Sequence, residues 1–104
     1  MDSYEDYVKI FDALSHPMRI KIAGLISKDT MYVSELAKIM QISRPLLYMH
    51  LKKLEEAKLL DSYYEISSTG KTMKFYKLKK FSHTLTSELL FNLSHEIPVP
   101  EKKE

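Results

Sequence analysis

The stretch from Ser43 to Leu60, SRPLLYMHLKKLEEAKLL, constrains the fold more than any other part of the chain. At about 100° per residue, Leu47, Leu51 and Leu54 fall on one side, the pattern of a helix held down by a single apolar face. Ser43 suits the N-cap, and Pro45 suits the first turn, where a missing N–H costs nothing. The other side carries Pro45, Met49, Lys52, Lys53 and Glu56, with Arg44 at the start and Tyr48 at the boundary. His50 flanks the leucines and is expected to pack or hydrogen-bond there. Such a helix hides its leucines and displays a basic, aromatic and thioether surface. The rest of the chain must cover the first face and explain the second.

Upstream, Tyr4, Val8, Phe11 and Leu14 recur at helical spacing over 2–14, and Tyr7 and Ile10 widen the stripe. That is more apolar surface than a terminal helix needs for its own domain, so part of it is expected to pack on a second subunit. SHP at 15–17 breaks this helix, and Pro17 opens the next. Ile20, Ile22, Ala23, Leu25 and Ile26 predict a strongly buried helix, and Arg19 is expected to serve as an internal salt-bridge partner rather than to reach outward. MYV at 31–33 reads as a short extended piece. Ser34 is a good N-cap for a short helix with Leu36, Ala37 and Met40 inward, and QI at 41–42 is a tight turn.

Downstream, LLDSYYEI and TMKFYKL flank the turn residues SSTGK and predict a hairpin. Its tip and far strand are basic, with Lys71, Lys74, Lys77, Lys79 and Lys80. FSHTLTSELLFNLSHEI predicts a last amphipathic helix over 82–96, with Phe81, Leu85, Leu89 and Leu93 as one seam; residues 98–104 read as a flexible tail. The fold class is therefore mainly α with a small β-hairpin. Five helices form one domain over 1–97, with a helix-turn-helix at 34–57 and a wing at 60–78.

Charge singles out the same region. The net is −1 over residues 1–42, +5 over 43–80 and −2 over 81–104. A basic middle between acidic flanks points to an anionic partner. In a winged helix-turn-helix that partner is double-stranded DNA, met by the N-terminal half of the second helix and by the wing. Arg44 can fork onto guanine O6 and N7. Tyr48 and Met49 supply shape and apolar contact, while Lys52 and Lys53 suit phosphates, as do Lys71 and Lys74 on the wing. The free N–H groups behind Ser43 and Pro45 suit a phosphate as well. A protein-interaction module of the same fold would need an apolar or acidic face at 44–53. An architectural chromatin protein would need only lysines there.

With no cysteine, the chain has no disulfide, zinc–thiolate site or thiol nucleophile. It also lacks a glycine-rich phosphate loop and any carboxylate pair that the predicted elements bring together, so an enzyme is not expected. No apolar run approaches the ~20 residues of a bilayer span, and the N-terminus lacks a secretory signal. The expectation is a cytoplasmic protein without membrane contact.

Three stretches, ALSHPMRIKIAGLI, VSELAKIMQISRPLLYMHLKKLEEAKLL and GKTMKFYKL, together resemble the ArsR-type winged helix-turn-helix repressors over about residues 8–80. The resemblance implies a homodimer built on the first and last helices and bound to a palindromic operator. On this chain the interface would be Tyr4, Tyr7, Val8, Phe11, Leu85, Leu89 and Leu93. Metal-sensing members carry a Cys-x-Cys pair in the first helix of the helix-turn-helix. The matching MYVSELAKI has no thiol, which excludes arsenite or lead sensing there. Other members bind zinc or nickel through Asp and His of the last helix. Here that segment offers His83, Glu88, His95 and Glu96 at a different spacing, so no metal or cofactor is expected, with His83 and His95 as the only metal candidates. Tyr48 stands where the family usually has serine. Lys58 stands where it usually has glycine, so a non-glycine must take that turn.

Overall fold

A computed structural model describes residues 2–101. In chain order the elements are α1 (Tyr4–Ala13), α2 (Pro17–Lys28), β1 (Met31–Tyr32), α3 (Val33–Met40), α4 (Arg44–Glu56), β2 (Leu60–Ile66), β3 (Thr72–Leu78) and α5 (Ser87–Ser94). The strands form one antiparallel sheet in the order β1-β3-β2. The expected hairpin is thus extended by a third strand, because the short piece at 31–32 pairs with Tyr76 and Phe75.

The leucine face of α4 is the centre of the core. Leu47, Leu51 and Leu54 are completely buried, together with Ile22 of α2 and Leu36 of α3, and Tyr76 of β3 closes the layer from the sheet side. Burying side chains of this size contributes roughly 1.5–3 kcal/mol each. Ile22, Ala23 and Ile26 hold α2 inward, but Ile20 faces solvent and does not join them.

Local chemistry sets the helix ends. Ser3 and Asp6 form a reciprocal capping box at α1. His16 caps α2 through Nδ1, which accepts the Met18 N–H at 3.1 Å. Ser43 caps α4 as expected. Ser34 does not cap α3: the helix begins at Val33, two residues earlier than a Ser34 cap would place it, behind an extended Tyr32 that offers no side-chain cap. The pairing of β1 with β3 fixes Tyr32 in extended geometry and so moves the start. Helices α3 and α4 both end through a non-glycine left-handed residue, Gln41 (φ 55°) and Lys58 (φ 59°). After each, the next N–H reaches back five residues, Ile42 to Ala37 and Leu59 to Leu54. Lys58 thus takes the turn where glycine is usual.

The last helix differs from expectation. It spans Ser87–Ser94 rather than 82–96, and residues 79–86 have no regular structure. The Thr86 hydroxyl accepts the Leu89 N–H at 3.0 Å, a cap that sets the start, and the β-branched Thr84 and hydroxyl-bearing Ser82 give the preceding stretch no helical drive. Phe81, His83 and Leu85 therefore lie outside the helix, and the four-residue seam does not form. This arm and the wing give the chain a long axis of 61 Å and a radius of gyration of 17.1 Å. A compact domain of this length would have about 13 Å.

Candidate nucleic-acid interface

Because the leucines point inward, the outward side of α4 is fixed. Arg44, Pro45, Tyr48, Met49, Lys52 and Lys53 are all exposed, Met49 most clearly at 65%. Ser43 is exposed beside them while its hydroxyl caps the helix. The wing lies alongside. Its turn is closed by Gly70 at φ 83°, whose N–H bonds the Ser67 carbonyl at 2.9 Å, and by the Ser67 N–H on the Lys71 carbonyl at 2.8 Å. Between the start of α4 and the wing runs a cleft of about 340 Å³, lined among others by Ser34, Arg44, Tyr48, Tyr64, Lys71 and Lys74. No acidic residue lines it.

Three of the expected contact residues are held by partners within the chain. Arg44 donates from Nη2 to the Ser34 hydroxyl of α3. Lys53 pairs with Asp12 of α1 at 3.4 Å, both half-exposed, so its charge is partly met within the chain. Lys74 stands opposite Tyr64 in the ladder. Its ammonium lies 5.6 Å from the Tyr64 ring centre and 5.1 Å from that of Tyr76. The Tyr76 side chain is the largest influence holding the Lys74 ammonium above the ordinary lysine range, and burial raises the Tyr76 phenol. Lys52 and Lys71 are exposed.

Reasoning from sequence missed Ser34, Asp12, Tyr64 and Tyr76 as partners. Tyr64 had a readable signal, since the length of the SSTGK turn fixes the register that places it across from Lys74. Tyr76 had one as well, because it lies two residues from Lys74 on the same face of β3; Ser34 and Asp12 depend on packing between separate helices.

On the opposite flank of α4, His50 is buried at 6% exposure. Arg19 Nη1 donates to its Nδ1 at 3.2 Å, while Arg19 Nε and Nη2 bond the Ala13 and Asp12 carbonyls. Arginine can only donate, so His50 accepts as the neutral ring with its proton on Nε2. Burial, then the neighbouring His16 and Arg19, lower the His50 pKa. Thus Arg19 works internally, as expected, but on carbonyls and a histidine rather than on a carboxylate.

The expected dimer residues fall into two groups. Val8 (53%), Phe11 (39%) and Leu85 (67%) are exposed, and Tyr4, Tyr7 and Leu89 are half-buried. Leu93, at 7%, already packs within the chain and offers little to a partner. Leu90, Phe91, Ile97 and Val99 add exposed apolar surface nearby. The Tyr4 N–H donates to Glu96 at 3.1 Å, which ties α1 to the end of α5. The metal candidates do not converge. His83 meets Tyr7 and Asp2, whereas His95 ends α5 against the Phe91 ring and carbonyl. Among the described residues no three potential ligands are grouped to hold an ion, and the thiols that the family's cysteine site needs are missing from the sequence. Among the described residues no helix is long and apolar enough to cross a membrane.

Comparison with known proteins bears on this surface. Residues 14–63 match the helix-turn-helix domain family. The chain is 38% identical, over 88 residues, to an HTH-type transcriptional regulator of Methanocaldococcus jannaschii; the match spans 85% of this chain and 92% of that protein. Among solved structures, HlyU from Vibrio cholerae superposes with a TM-score of 0.63 at 20% identity, covering 88% of each chain. An ArsR family transcriptional regulator gives 0.63 at 22% identity, covering 90% of this chain and 84% of that one. NolR from Sinorhizobium fredii gives 0.60 at 21% identity, covering 88% and 81%.

Proposed function

Because the chain belongs to the helix-turn-helix transcriptional regulators and carries the winged fold of their ArsR branch, we propose that it is a homodimeric, sequence-specific DNA-binding repressor. One observation carries the DNA reading. With Leu47, Leu51 and Leu54 completely buried, α4 turns Tyr48, Met49 and Lys52 outward. Basic residues with one tyrosine and one methionine suit a major groove: lysine for phosphates, apolar tips for thymine methyls and base edges. A protein-binding face would be apolar or acidic there.

Dimerisation is supported by the arm that follows the wing. Its exposed Leu85, the Leu90 and Phe91 of α5, and the Val8 and Phe11 of α1 are apolar surface that a single chain leaves wet. A second copy related by a two-fold axis would cover it and present two recognition helices to a palindrome. Repression is the mode that the ArsR resemblance implies: a dimer on an operator occupies DNA that the transcription machinery needs.

The test is enrichment of duplexes from a random pool by the full chain, followed by fluorescence-anisotropy titration of the enriched and a shuffled duplex. The expected product is an inverted repeat bound more tightly than its shuffled form, with the preference lost in Tyr48→Ala/Met49→Ala. Enrichment of nothing, with no binding at low salt, would overturn the reading. Equal, steeply salt-dependent binding of both duplexes would replace it with a chromatin protein held by phosphates alone.

A further inference from the structure

The cleft between α4 and the wing assigns Arg44 a different role from the one its position in the sequence suggests. At the start of a recognition helix an arginine is read as a base contact, yet this guanidinium is drawn toward α3 by the Ser34 hydroxyl. It does not stand on the outward crest with Met49. It lines one wall of a cleft whose other wall carries Lys74 and Lys71. Lys74 is itself unusual for a wing lysine, being half-buried and set over the Tyr64 and Tyr76 rings. A free lysine loses rotamer freedom when it grips an anion; this one has already lost much of it. Tyr64, 66% exposed, has no packing role that explains its presence, but it does help to hold this ammonium. A cleft of about 340 Å³ with cations on both walls and no acidic lining residue accommodates a phosphodiester and part of its sugars. It combines a delocalised fork with a point charge, two standard ways to hold phosphate.

We propose that this cleft seats one backbone phosphate of the bound duplex, clamped by Arg44 from the α4 wall and by Lys74 from the wing wall. Ser34 and Tyr64 are the positioning residues. The proposal rests on the DNA reading above and sharpens it. Arg44 supplies charge and register, and sequence choice is left to Tyr48, Met49 and the residues beyond them.

The experiment is anisotropy titration of the enriched and shuffled duplexes across several salt concentrations. It uses the wild-type chain, Arg44→Ala, Arg44→Lys, Lys74→Ala, Tyr64→Leu and Tyr64→Leu/Lys74→Ala. Arg44→Ala and Lys74→Ala should each weaken both duplexes by the same factor, about tenfold. Each should also flatten the log–log salt slope by about 0.9. Arg44→Lys should keep the slope. Tyr64→Leu, which keeps every charge, should leave the slope unchanged and weaken both duplexes about threefold; in the Lys74→Ala background it should add nothing. Loss of discrimination in Arg44→Ala with an unchanged slope would make Arg44 a base reader and overturn the clamp. An undiminished Tyr64→Leu loss in the Lys74→Ala background would overturn the positioning role. If the wild-type chain binds no duplex at low salt, the DNA reading itself falls and takes the clamp with it.

Discussion

The helix-turn-helix and the chain's two ends solve opposite problems. In α3 and α4 the large inward side chains are covered: Leu36, Leu47, Leu51 and Leu54 have no exposed surface, and the one buried polar side chain, His50, is held by Arg19. At the ends the apolar residues outnumber their partners. Val8 and Phe11 on α1, and Leu85, Leu90 and Phe91 along the arm and α5, remain open to solvent. The first region is finished within one chain; the second is not. The difference teaches where each part of the function resides. In the dimer proposed above, α4 is held by packing within one chain, and the spacing between two such helices would be set by the unfinished surface.

The sharpest way to break this contrast is to cut into each side. Leu51→Ala leaves a cavity under α4 and is expected to cost roughly 2–5 kcal/mol, read as a drop in the urea midpoint. Phe91→Asp should act differently. Wild-type chain is expected to elute with about twice the 12.2 kDa of one chain and to melt higher as its concentration rises. The variant should elute as a single chain, with a melting temperature independent of concentration. If Phe91→Asp unfolds the chain as Leu51→Ala does, the end is core, and the contrast fails.

Smaller effects sharpen the finished side. His50 accepts from Arg19 only while neutral, and its pKa in the folded chain is lowered, first by burial. The unfolded chain therefore binds a proton that the folded chain refuses. Stability is full above about pH 6.5 and is lost as pH falls from there through the lower folded value. Urea titrations across this window should show that slope, and His50→Gln should reduce it. An unchanged slope would place the acid sensitivity elsewhere. Smallest is Lys58→Gly. Lysine at φ 59° is strained where glycine is not. The change should raise stability by about 0.5–1 kcal/mol, after allowing for the freedom glycine adds to the unfolded chain.

Much of this was legible because local rules and global packing agree. The leucine period predicted which face of α4 is buried, Ser43 and Pro45 predicted its start, and the turn residues at 67–71 predicted the hairpin. What was not legible came from contacts between elements. β1 was read as an extended piece because two residues carry no pattern of their own; its partner is β3. That pairing in turn moved the start of α3 away from Ser34 and freed its hydroxyl for Arg44. The apolar seam over 81–93 suggested a longer last helix, but threonine capping at Thr86 outweighed periodicity. The residue types facing the cleft were visible in sequence. The hairpin register and strand alternation could have placed Tyr64 and Tyr76 beside Lys74, but the hold of Ser34 on Arg44 was not legible, because it depends on how α3 packs against α4.

In the proposed assembly two copies, joined through their ends, place two outward α4 faces on one duplex. Hydroxyl-radical footprinting of the enriched duplex tests it most directly. Two protected patches are expected, related by a dyad and centred about one helical turn apart, or a whole multiple of it. With Phe91→Asp, protection should weaken at both patches together. A single unsymmetrical patch, unchanged by Phe91→Asp, would contradict the account.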